Sequence, residues 1–91
     1  MALYLVEHRL PRVTQRELLL LQEALAAACA RLTARRQPVR YLGSTFLPTS
    51  NRLLSLFEAA GADLVRKAAE SSQAPVDALE IAIDMPNHKE A

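Results

Sequence analysis

Glu7 is the residue whose type and neighbours best suit it for chemistry. It stands in an alternating run, Leu3 to Arg9, that places Leu3, Leu5, Glu7 and Arg9 on one side of a strand. Covering that side with a ligand or a second subunit strips water from the carboxylate, the usual setting for a general base. Glu80 is expected on the neighbouring strand, towards the same end, and two carboxylates brought close share a proton and titrate as a pair. Arg9 can instead neutralise one of them as a plain ion pair. Thr45 and Ser55 offer hydroxyls beside this cluster, while Tyr41 and Phe57 line the far end of the same surface. The candidate set is therefore Glu7 as base, with Arg9, Tyr41, Thr45, Ser55, Phe57 and Glu80 as ligand-binding residues. The same residues also read as a satisfied polar patch at a dimer seam, because structural networks use the same groups.

Other chemistries find little here. His8 is expected on the opposite, helix-facing side as a hydrogen-bonded structural residue, and His88 falls in a polar tail. No His-x-His, His-Glu-x-x-His or clustered Cys/His spacing occurs, so neither a metal nor a cofactor is expected. The single cysteine, Cys29, lies among alanines and reads as a small core residue. Gly43 and Gly61 have no glycine-rich company to cradle a phosphate, and Ser44 and Ser55 lack an adjacent base. A net charge of +1, with two Tyr and two Phe, argues against a nucleic-acid platform. Arg31, Arg35, Arg36 and Arg40 do cluster, but three of them sit where cations favour the negative pole of a helix. The start of the chain lacks the basic opening and apolar core of a signal peptide, and no run approaches a membrane span. A cytoplasmic protein with no nucleic-acid or membrane partner is the expectation.

The elements that must position Glu7 follow from pattern. Pro11 stops the first strand, and Thr14-Gln-Arg-Glu17 has capping-box form. A helix then runs to about Ala34, with Leu18, Leu21, Leu25, Ala28, Cys29 and Leu32 as its buried stripe, widened by Leu19 and Leu20. Val39 to Glu58 reads as two antiparallel strands around Pro48-Thr49-Ser50-Asn51. A second helix starts near Gly61 and buries Leu64, Val65, Ala68 and Ala69. Ala78 to Met85 alternates as the last strand.

This order predicts an α+β, ferredoxin-like βαββαβ fold, with a four-stranded antiparallel sheet in the order 4-1-3-2 and two helices on one face. Residues 1–86 form the single domain, and residues 87–91 form a polar tail. Leu79, Ile81 and Ile83 should face the helices with Tyr4, Val6, Leu42, Phe46, Leu54 and Leu56. Leu53, Ser55, Phe57 and Tyr41 should lie on the open face with Glu7. That assignment requires an odd hairpin loop or a bulge; an even loop sets Thr45 opposite Leu54 and flips one strand.

With these elements in place, the chain resembles a group of small bacterial ferredoxin-like proteins of unknown function, some of them described as nickel-binding. The resemblance rests on Tyr4-Leu-Val-Glu-His-Arg-Leu-Pro11, Val39-Arg-Tyr-Leu, Leu56-Phe-Glu-Ala59 and Ala74-Pro-Val-Asp77. It spans nearly the whole domain through short, largely structural motifs. It implies a homodimer of the α+β-barrel kind. Family members often carry histidine where this chain has Gly43 and cysteine where it has Ser55, so nickel is expected to bind weakly or not at all. Glu7 and Glu58 match acidic positions of the family pattern.

The apolar residues expected on the open face are too many for a monomer to leave wet, which predicts a homodimer packed sheet to sheet. The leading functional reading is a non-catalytic module binding a small molecule or metal ion. The alternative is a cofactor-free proton-transfer enzyme, an isomerase or cyclase with Glu7 as base. A structural or partner-binding accessory protein is the third.

Overall fold

A computed structural model describes residues 1–86, and the tail 87–91 with His88 lies outside the described residues. The elements run β1 (Ala2–Arg9), α1 (Gln15–Ala34), β2 (Val39–Leu47), β3 (Arg52–Ala59), α2 (Ala62–Ser71) and β4 (Ala78–Ala82). All strand pairs are antiparallel, in the order β2-β3-β1-β4, which is the expected ferredoxin-like arrangement.

Local chemistry accounts for the helix ends. The Thr14 hydroxyl accepts from the Glu17 backbone N–H at 3.1 Å, and the Glu17 carboxylate accepts from the Thr14 N–H at 2.9 Å. That backbone donor, followed by the hydroxyl, holds the Glu17 carboxyl below its ordinary range. At the other end, Gln37 N–H donates to Leu32 O and Arg36 N–H to Thr33 O, with Arg36 at φ 64°. This is a Schellman ending with arginine in the left-handed place that glycine usually takes. Helix α1 thus stops through its own backbone before Pro38 is reached.

The core lies between the sheet and the helices. Val6, Val39, Phe57 and Ala59 from the strands meet Leu25, Ala28, Cys29 and Leu32 of α1 and Val65, Ala68 and Ala69 of α2. Leu19 and Leu20, expected to widen the α1 stripe, are instead 57% and 55% exposed. Leu20 borders an open hollow with Leu10, Val13 and Leu21 rather than entering the core.

The strand faces depart from expectation at one joint. Leu47 pairs with Arg52 around the four-residue loop Pro48–Asn51, and Asn51 takes φ 55°, a conformation asparagine tolerates. An even loop sets Thr45 opposite Leu54. All of β3 therefore turns over: Leu53, Ser55 and Phe57 face the helices, and Leu54 and Leu56 face out. A bulge between Tyr41 and Gly43 inserts Leu42 and resets the parity of β2. Tyr41 then joins Ser44 and Phe46 on the helix side, while Leu42, Gly43 and Thr45 lie outward. Gly43 sits at φ 134°, a value that glycine alone adopts freely. Strand β4 also ends early, at Ala82; Ile81 within it and Ile83 and Met85 beyond it, expected on the covered side, are exposed at 67%, 82% and 84%.

Candidate functional site

The open face is a ladder of four rows. Across the first lie Arg9, Arg52 and Leu47; across the second Ala78, Glu7, Leu54 and Thr45. The third holds Glu80, Leu5, Leu56 and Gly43, and the fourth Ala82, Leu3, Glu58 and Arg40. Charges thus stand at both ends, with leucines between them. A hollow of about 470 Å³ opens here, floored by Leu5, Leu54 and Leu56 and walled by Leu42 and Thr45. The missing side chain at Gly43 and the extra residue that the bulge inserts at Leu42 shape it.

Glu7 stands opposite Leu54 of this floor, its side chain 19% exposed. Its Oε1 accepts from Arg52 at 3.2 Å, and its Oε2 lies 3.5 Å from Arg9 Nε. Both carboxylate oxygens are therefore engaged by guanidiniums. Glu80 pairs across from Leu5, one row away, rather than joining Glu7 in a shared-proton pair. Asp77 fastens the same corner: its carboxylate accepts from Arg9 N–H at 2.6 Å, and its own N–H donates to Glu7 O at 2.9 Å. At the far end Arg40 and Glu58 form the matching pair at 3.1 Å.

Of the residues expected on this face, Glu7, Arg9, Thr45 and Glu80 are there. Tyr41, Ser55 and Phe57 are not, because the even loop and the bulge turn them to the helix side. Phe57 is 0% exposed, with Tyr41 tilted against it at a ring separation of 5.5 Å. Buried Ser55 ends a hydroxyl chain in which Ser44 Oγ lies 2.7 Å from Ser55 Oγ and also bonds the Tyr41 phenol. Those hydroxyls satisfy one another inside the protein. Leu42, Leu54 and Leu56, expected on the helix side, belong to this face instead, together with Arg52, which the sequence pattern did not single out. Arg52 was legible in principle, since a hairpin closed around four residues sets it beside Arg9 on the side of Glu7.

His8 lies on the helix side, as expected, and is fully buried. Its Nδ1 donates to Pro75 O at 2.6 Å, since a carbonyl can only accept; Nε2 has no partner among the described residues. Cys29 is likewise a core residue, and burial pushes its thiol up to about 11 from the ordinary 9.0. Among the described residues no group of three or more His, Cys, Asp or Glu is arranged to hold a metal ion. No helix among them is long and apolar enough to cross a membrane.

The fold is similar to that of the crystal structure of SCO4226 from Streptomyces coelicolor A3(2), with a TM-score of 0.75. The two are 20% identical, over 92% of this chain and 100% of that one. At that identity the likeness shows the fold alone. No protein-family model matches the chain, and no curated protein matches it.

Proposed function

We propose that the chain is a homodimeric, non-catalytic binding module, in which two open sheet faces pack together and hold a small molecule between them. The observation that carries this reading is the central leucine block of Leu3, Leu5, Leu54 and Leu56 on a face that no helix covers. Each of these side chains is only half-buried. Completing the burial is worth on the order of 1 kcal/mol per leucine, counted twice by symmetry. The hollow at Gly43 interrupts the block, so two faces brought together enclose an apolar space, with Arg9 and Arg52 one row beyond it. A ligand with an apolar body and an acidic end suits that lining, because guanidiniums keep donors to spare after pairing with one carboxylate. The proton-transfer alternative lacks comparable support, since both oxygens of Glu7 are already taken. Nickel is expected to bind weakly or not at all.

Anilinonaphthalene sulfonate has the required apolar body and anionic end, and serves as the probe. Saturable fluorescence enhancement is expected, together with its loss in Thr45→Phe, which fills the hollow from a solvent-facing position. Enhancement that is absent, or that is indifferent to Thr45→Phe, contradicts the ligand-binding reading.

A further inference from the structure

Two guanidiniums stand at the hairpin end of the leucine block, and the fold holds them differently. Arg52 is placed by the loop itself. Ser50 N–H donates to Leu47 O at 3.3 Å, and Leu47 pairs with Arg52 across the closing rung. The Arg52 Nε then donates to Ser50 Oγ at 3.1 Å, and its Nη1 to Glu7 Oε1 at 3.2 Å. Bonds on two sides fix the plane of the group, while Nη2, with two N–H donors of its own, has no partner among the described residues. Arg9 is looser: its Nε lies 3.5 Å from Glu7, and its side chain is 72% exposed against 38% for Arg52. Asp77 is held by the Arg9 N–H on the β4 side of β1, with β1 between it and Arg52. A donor already fixed in place loses less freedom on binding an anion than a mobile one.

The surface that leads away from Arg52 is almost wholly hydrocarbon. It runs along β3 through Leu54 to Leu56, with Leu5 beside it and Leu42 and Thr45 as walls. Thr45 adds one hydroxyl, whereas the Ser44 hydroxyl is spent on Tyr41 and Ser55. A polar group carried into this lining finds few partners, and an unpaired one is costly to bury. Arg52 and Leu56 are four residues apart on one strand, about 13 Å at the usual rise. A carboxylate at the head of a saturated chain of about eight to ten carbons spans the same distance.

We infer that the ligand is a medium-chain fatty acid, with its carboxylate on the free Nη2 of Arg52 and its chain along Leu54 and Leu56 into the hollow. Guanidinium and carboxylate match in charge and in planar geometry. The inference rests on the binding-module reading above, in which a second copy closes the hollow over the chain. It adds the class of ligand and the residue that selects its head.

Isothermal titration with sodium decanoate, 1-decanol and sodium butanoate tests it. On the unaltered chain decanoate should bind at least about tenfold more tightly than either, since decanol lacks the charge and butanoate the chain. Arg52→Met should weaken decanoate by a similar factor and leave decanol unchanged, with circular dichroism confirming the fold. Arg9→Met should cost threefold or less. Decanoate binding no tighter than decanol on the unaltered chain, or untouched by Arg52→Met, overturns the fatty-acid inference. Dye fluorescence that still rises, and still vanishes in Thr45→Phe, then leaves the binding-module reading standing. Absence of saturable binding by the dye and by decanoate overturns both.

Discussion

Phe57 and Leu54 stand three residues apart on β3 and meet opposite surroundings. Phe57 is sealed under two helices with Val6, Leu25 and Val65; Leu54 looks out from the other side of the same sheet, between Glu7 and Thr45. The strand is apolar on both sides, LeuLeuSerLeuPhe, which is the pattern of a strand buried on both faces. Among the described residues only one of those faces has a cover. The helix side explains how one copy folds, and the open side leaves apolar surface that the described residues do not cover.

Alanine substitutions break the comparison most sharply. Phe57→Ala leaves a cavity in the sealed core and should cost about 3–5 kcal/mol, enough to unfold much of a domain this small. Leu54→Ala removes a half-buried side chain and should cost under about 1 kcal/mol of single-copy stability, while weakening association. Denaturant unfolding at low and high protein concentration separates the two. Equal losses at both positions, independent of concentration, would erase the distinction between the faces.

A smaller effect is expected at the rim. Glu7→Gln loosens two guanidinium contacts, but the Arg9 and Arg52 side chains are 72% and 38% exposed, so water screens them. The loss should be near ~1 kcal/mol, or roughly 4–8 °C in Tm. If the open faces pack together, the loss should grow with protein concentration, because association desolvates the pair. Thermal melts across a hundredfold dilution series check this.

The smallest effect belongs to the sealed side and appears only in alkali. Cys29 keeps its proton in the folded protein up to about 11, whereas the unfolded thiol releases it near the ordinary value. Between those limits the folded state binds more protons, so stability falls as pH rises from about 9 towards 11. It is fully present below that window. Cys29→Ala should flatten this part of the stability profile measured by urea titration.

Much of the fold was legible because period and capping are local properties. The capping box at Thr14 and Glu17, the helix over Gln15–Ala34 and the alternation of β1 all rest on neighbours within a few residues. The faces of β3 were not local. They depended on whether Pro48–Asn51 counts as an even loop and on a bulge at Leu42, and apolar residues on both sides of β3 offered no pattern to arbitrate. Glu7, Arg9, Thr45 and Glu80 kept their expected side because β1, β4 and the end of β2 nearest the hairpin hold their parity. Tyr41, Ser55 and Phe57 changed sides with the bulge and the loop. Arg52 entered the site by the same inversion.

Light scattering over a concentration series, on the unaltered chain and on Leu54→Glu, tests most directly whether the open face joins two copies. The unaltered chain should weigh twice its 10.0 kDa at micromolar concentration. Leu54→Glu should be a folded 10.0 kDa monomer with its circular dichroism intact. An unaltered chain that remains a stable 10.0 kDa monomer, or a Leu54→Glu variant that still pairs with undiminished affinity, would contradict it.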